Sequence, residues 1–204
     1  MRDFCEACER NKAPILGVLT ECFADRQAVL EIGSGSGQHA LYLAPRLAHL
    51  RWYPSERGER LAVLRHNLQE AGACNHEGAS SPNLQLPLEL DVGAARWPSL
   101  AVDAVFSANT LHIMSWEEVQ AFLRGVAGQL TAGGLLAVYG PFRYGERHTS
   151  EGNARFDQLL RAQGEGGIRD AHEVDRLAAI QGLRAEDDIA MPANNRLRLW
   201  RRQP

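Results

Sequence analysis

Glu31-Ile32-Gly33-Ser34-Gly35-Ser36-Gly37-Gln38-His39 is the stretch on which the reading of this chain turns. The short apolar run Ala28-Val29-Leu30-Glu31-Ile32 leads into it, and glycines end that run, as at the exit of a buried parallel strand. Glycines at a strand-to-helix turn let the backbone take positive φ and approach a ligand closely, and the following helix offers free N–H groups. The spacing separates two ligand classes. A dinucleotide fingerprint runs G-x-G-x-x-G, its last glycine packing helix on strand. Here the third glycine comes one place early, Gln38 holds the fingerprint position, and Glu31 stands two residues before the first glycine. A carboxylate there suits a cationic amino group, reached directly or through water, better than a pyrophosphate. The expected ligand is a nucleoside carrying an ammonium group, which describes S-adenosylmethionine.

Outward from this loop, β-like runs alternate with helix-period segments. Further strands are expected over residues 50–53, 86–90, 104–107 and 135–139. Ser115 and Glu118 form a capping box before a helix whose apolar positions Val119, Phe122, Leu123, Val126, Ala127 and Leu130 share one face. Asp170 with Glu173 marks a second capping box, opening a helix that stops at Gly182. Residues 183–190 and 196–202 are again β-like, and the connection Met191–Asn195 is too short for a helical crossover, so these two strands are antiparallel. The expected fold class is α/β: a doubly wound, seven-stranded Rossmann-like sheet with strand 7 antiparallel. Residues 133–134 are read as a turn before the fifth strand.

The remaining ligand contacts are expected where open α/β sheets bind, at the carboxyl ends of the strands. Glu56 follows the second strand and would take ribose hydroxyls. Asp91, ending the third, would face the adenine amino group, with Val92 packing on the ring. Asn109, ending the fourth, would line the sulfonium side. Each carboxylate has an ordinary alternative as a helix cap or solvated loop charge.

Composition bounds the rest. The chain has 204 residues, 45% hydrophobic and 23% charged, the profile of one folded domain spanning 1–204. Twenty-two Lys+Arg against 25 Asp+Glu leave a formal net charge of −3, which argues against a nucleic-acid partner. Four cysteines make no disulfide scaffold. The N-terminus lacks the apolar stretch of a secretion signal, and no apolar run reads as a membrane span, so a cytoplasmic protein with free thiols is expected. Cys5-x-x-Cys8 is half a zinc site without a second half, so no metal is expected. No Gly-x-Ser-x-Gly nucleophile elbow is present either.

Glu31-x-Gly33-x-Gly35-x-Gly37 resembles motif I of the class I S-adenosylmethionine-dependent methyltransferases, and the terminal hairpin resembles their sixth and seventh strands. More narrowly, the chain resembles the methyltransferase-like 26 family. The resemblance is carried by residues 8–16, Gly35-Ser36-Gly37-Gln38-His39-Ala40, Pro54-Ser55-Glu56, Ala108-Asn109-x-Leu111-His112-Ile113, Tyr139-Gly140-Pro141-Phe142, His148-Thr149-Ser150, Gly167-Ile168-Arg169-Asp170 and Met191-Pro192-Ala193-Asn194-Asn195. Glu56 stands where that family usually has Asp, and Cys5 falls outside its pattern. The resemblance implies methyl transfer from S-adenosylmethionine, with S-adenosylhomocysteine as product. No stretch of the chain reads as an appended recognition domain for transfer RNA or protein, so a small-molecule acceptor is expected, with a monomer or homodimer.

It also implies that residues 1–24 form a lid segment and helix, apolar at Ile15, Leu16, Leu19 and Phe23. Arg10 and Leu111 join the cofactor contacts, beside Glu31, Gly33, Gly35 and Gly37. Asn11, Phe142, Met191, Asn194 and Asn195 are the expected acceptor contacts, with Trp116 near them. His112 and His148 are candidate bases and Tyr139 a candidate orienting group. Each histidine has an alternative as a structural hydrogen-bonder, and His39 is read as structural. A non-catalytic S-adenosylmethionine-binding subunit and an NAD-dependent oxidoreductase remain as alternative readings.

Overall fold

The computed structural model describes residues 1–58, 60–74, 80–164 and 166–204. Helix α1 (Glu6–Cys22) leads into strand β1 (Ala28–Ile32), all five residues of which are buried. There follow α2 (Gln38–Leu43), β2 (Arg51–Glu56), α3 (Arg60–Glu70), the short β3 (Leu88–Glu89), β4 (Val102–Ala108), α4 (Trp116–Gln129) and β5 (Leu130–Gly140). The second half adds β6 (Phe142–Tyr144), β7 (Arg147–His148), α5 (Glu151–Ala162), β8 (Arg169–Asp170), α6 (Ala171–Ile180), β9 (Leu183–Met191) and β10 (Asn195–Arg202).

The seven-stranded sheet has the order β3-β2-β1-β4-β5-β10-β9. Neighbours from β3 through β5 are parallel, whereas β10 is antiparallel to both β5 and β9. The chain therefore winds outward from β1 to β3, then returns to β1's other side as β4. That reversal opens a crevice at the carboxyl ends of β1 and β4. Side-chain alternation builds the two layers. Val29, Trp52, Phe106, Ala137 and Leu199 face α1 and α2, while Leu30, Ile32, Val105, Leu136 and Trp200 face α4 and α6.

The expected strands and the antiparallel ending are present, with shifts in extent. β2 runs on through Glu56, and β3 shrinks to two residues. β5 starts at Leu130, before the expected turn. Gly133 takes φ +77° there, and the register with β4 jumps between Val102 and Ala104, so the glycines form an irregularity within the strand. Both arms of the Ser115–Glu118 capping box form. Asp170 caps α6 through the backbone N–H of Glu173, and the following helix ends at Ile180. A second sheet, ordered β7-β6-β8, was not anticipated. Among the described residues no helix is long and apolar enough to cross a membrane.

Candidate functional site

The crevice at the switch between β1 and β4 holds a cavity of about 240 Å³. Its floor is the backbone of Gly33–Ser36, and Gly33 and Gly35 both have positive φ, +73° and +56°. These two glycines are required for different reasons. A Cβ on Gly33 would lie 2.7 Å from Thr110 Cγ2, so the loop passes too close to the β4 exit for a side chain. A Cβ on Gly35 would meet nothing nearer than Arg60 Nη2 at 4.0 Å. Gly35 thus presents bare backbone to the cavity. Gly37 does not line the cavity. It precedes α2, where a Cβ would press on Leu64 at 2.9 Å.

Glu56, at the end of β2, fixes this floor. Its Oε2 accepts from the Gly35 N–H at 2.8 Å and its Oε1 accepts from the Arg57 N–H at 3.0 Å. Each carboxylate oxygen keeps a further lone-pair direction free for a hydroxyl donor. Leu90 and Val92 supply an apolar wall, and Asn109, Thr110, Ile113 and Met114 the wall opposite. Asn109 is held at φ +59° with its N–H donated to Tyr139 O at 2.8 Å. Its short polar side chain tolerates that conformation. Asp3, Cys5 and Cys8 close the remaining side.

Of the expected cofactor contacts, Gly33, Gly35, Glu56, Val92 and Asn109 come together here. The others are placed differently. Glu31 is buried with its Oε2 accepting from the Trp52 indole at 2.7 Å, and it does not line the cavity. Burial pushes its carboxyl up to about 7, although the bonds from Trp52 and Ser34 oppose the shift. Asp91 is exposed and its Oδ1 accepts from Gly93 N at 2.8 Å, so it caps a turn while its neighbour Leu90 faces the cavity. Leu111 packs into the core beneath α4, and Arg10 extends into solvent near Glu6, 3.8 Å away.

The expected acceptor and catalytic residues do not line this cavity either. His112 is buried edge-on to Phe156, their ring centres 5.4 Å apart, and burial followed by Arg169 pushes its pKa down to about 4. His148 Nε2 lies 3.1 Å from Asp157 Oδ2, where Asp157 also accepts from Ile168 N and Arg161. Phe142 and Met191 are core residues, and Arg198 stacks over the Phe142 ring at 5.4 Å. Trp116 lies 5.6 Å from the Arg169 guanidinium. Asn194 contributes its carbonyl, which accepts from Thr149 Oγ1 at 2.8 Å.

Tyr139, Asn195 and Asn11 do meet, in a chain that begins at the cavity and ends at the half-buried Asn195. His39 lines the cavity and its Nε2 donates to Asn11 Oδ1 at 2.7 Å. Asn11 and Asn195 both hydrogen-bond the Tyr139 phenol, Asn195 at 3.0 Å. Burial holds that phenol above its usual range and His39 down at about 4. His39 is therefore a structural residue, as expected, and also part of the cavity wall.

Sequence reasoning missed Leu90, His39 as a wall residue, and the cavity role of Asp3, Cys5 and Cys8. The signal for the last lay in Gln38 and Asn67. Gln38 pairs with both backbone groups of Cys5, at 2.6 and 3.3 Å, and Asn67 with both of Arg2, at 2.7 and 2.9 Å. Among the described residues no group of three or more His, Cys, Asp or Glu side chains gathers to hold a metal.

This sheet order and crevice define a class. Human N-acetylserotonin methyltransferase in complex with SAM superposes with a TM-score of 0.80 at 15% identity, over 98% of this chain and 53% of that one. An O-methyltransferase family protein from Burkholderia thailandensis matches at 0.79 and 18% identity, over 97% and 58%. Mitomycin 7-O-methyltransferase matches at 0.78 and 20% identity, over 95% and 54%. The fold is the Rossmann-like methyltransferase fold, and the chain spans just over half the length of these three proteins. The chain itself belongs to the family described as "Protein of unknown function (DUF938)", whose model matches residues 2–202.

Proposed function

We propose that the protein is an S-adenosylmethionine-dependent methyltransferase acting on a small-molecule acceptor. The observation that carries this reading is the Glu56–Gly35 bond, which locks a carboxylate and a bare glycine backbone side by side at the crevice. The residues fit the cofactor. Glu56 would accept from the ribose hydroxyls through its free lone pairs, Leu90 and Val92 would clasp the adenine, and the Gly33–Gly35 backbone would border the amino-acid end. Bound there, the cofactor supplies an electrophilic methyl group on a cationic sulfur. The chain's own work is positioning, which contributes about 7–11 kcal/mol to such displacements. Residues 1–24 act as the lid and helix that exclude water above the cavity, in a single domain spanning 1–204. The motif resemblance to the methyltransferase-like 26 family supports the same reading, and so does the likeness to proteins named as methyltransferases.

One observation favours a second reading, a binding subunit without turnover. His39 is the one histidine on the cavity wall among the described residues. Its Nε2 is committed to Asn11 and its pKa is pushed down, which leaves it a weak base. Calorimetric titration with S-adenosylhomocysteine and with NAD tests the cofactor. We expect binding of the first only, weakened about 10–100-fold by Glu56→Ala, which strips the Gly35 N–H of its partner. Binding of NAD alone overturns the proposal. Release of labelled methyl to an acceptor in cell extract separates the enzyme from the binding subunit.

A further inference from the structure

Cys5 and Cys8 stand on one face of the first turn of α1, and both line the cavity. Cys5 is the N-cap residue, and its Sγ accepts from the Cys8 N–H at 3.4 Å. The two thiols are also in side-chain contact with each other. Helix geometry sets Cα atoms three residues apart at about 5 Å, inside the roughly 4.4–6.8 Å that a disulfide spans. Cys22 sits at the far end of the same helix, about 25 Å along its axis, and is buried enough that its thiol is pushed up to about 12. The pair also occupies a mechanical junction. Gln38 grips both backbone groups of Cys5, and Asn67 grips those of Arg2, so the segment ahead of α1 is strapped at two points.

We propose that Cys5 and Cys8 form a dithiol that hydrogen peroxide oxidises to an intrachain disulfide in the wall of the cavity. The Cys5 thiolate attacks one peroxide oxygen, the O–O bond breaks, and hydroxide leaves, giving a sulfenic acid. The Cys8 sulfur then attacks that sulfenic sulfur, the S–O bond breaks, and a second hydroxide leaves. The two thiol protons convert both hydroxides to water. Two thiols and one peroxide thus become one disulfide and two waters, the sulfurs giving up two electrons and the peroxide oxygens accepting them. Cys5 attacks first because burial and the facing Cys5 hold the proton on Cys8. The disulfide ties the strapped segment to the first turn of α1 in the wall of the cavity.

The ligand part of this inference rests on the cofactor reading above, and the disulfide does not. The test uses the full chain carrying Cys22→Ser and Cys74→Ser, reduced and then treated with hydrogen peroxide. Intact mass is expected to fall by about 2 Da and maleimide uptake to vanish, and Cys5→Ser or Cys8→Ser to abolish the fall. Oxygen addition without a disulfide, or a cross-linked dimer, overturns the proposal. S-adenosylhomocysteine at ten times its Kd is expected to slow the oxidation about tenfold. An unchanged rate with ligand bound overturns the placement of the pair in the cavity wall. If the reduced protein does not bind this ligand, the cofactor reading fails, and the mass change still decides the disulfide.

Discussion

Glu31 opens the loop motif from the end of β1 and yet turns its carboxylate to Trp52. Burial raises its pKa from 4.5 to about 7, so the folded protein retains a proton that the unfolded chain releases. For a carboxyl shifted upward, stability is present at low pH and lost as pH rises from about 4.5 through 7, by roughly 3 kcal/mol in full. Glu31→Gln still offers an oxygen to the indole and removes that loss. We expect its urea midpoint to match the parent's near pH 4.5 and to exceed it at pH 8. Equal midpoints at pH 8 would show that the buried carboxyl costs nothing. The places of Gly35, Glu56, Val92 and Asn109 on the cavity wall were legible, because distance from a strand end fixes them. Glu31 was not, because strand alternation points it into the layer beneath the sheet, where Trp52 waits one strand over. Asp91 lies one position from the cavity wall: β3 is only two residues long, so no alternation marks Leu90 as the inward neighbour.

Helix α4 carries a built-in comparison. Gly125 and Gly128 both lie in its last two turns, and intrinsic propensity favours alanine over glycine in a helix by up to about 1 kcal/mol. A Cβ on Gly125 would overlap the Trp97 ring, whereas one on Gly128 meets nothing within 4 Å. Gly128→Ala is therefore expected to stabilise the protein by about 0.5–1 kcal/mol. Gly125→Ala is expected to destabilise it by about 1–3 kcal/mol. Thermal melts of the two variants check the opposite signs, and two shifts in the same direction would contradict the packing at Trp97. The helix was legible from its capping box and one-faced apolar spacing, which are local signals, except that Leu130, expected on its apolar face, turns extended and begins β5. The strands β6, β7 and β8 were not. Runs of two or three residues fall below any detectable period, and they pair only once β5 and α5 have brought them together. The α1 strap was hidden for a related reason, since its hold comes from Gln38 and Asn67, far along the chain.

The doubly wound order makes protection against exchange depend on position in the sheet. β1 and β4 lie inside it with helices on both faces, whereas β3 and β9 form its edges. Local opening is easiest where neighbours are fewest. Hydrogen–deuterium exchange should be slowest in β1 and β4, and faster in β3 and the small β7-β6-β8 sheet. Uniform protection across these segments would contradict the layering. The architecture was the most readable feature of the sequence, because strand–helix alternation and a short terminal connection admit few topologies. The surroundings of the residues expected to meet an acceptor were the least readable, since His112, His148, Phe142 and Met191 are held by partners brought together only by the folded chain. The insertion of β10 between β5 and β9 also bears on how the protein is made. β9 joins the sheet through β10, so on a ribosome both β5 and β9 wait with bare edges until residues 195–202 have been added. At about 5–20 residues per second, the β5 edge stays open for roughly 3–12 s after Gly140 is added. A nascent chain with two adjacent unpaired edges is a natural client for chaperones during that interval.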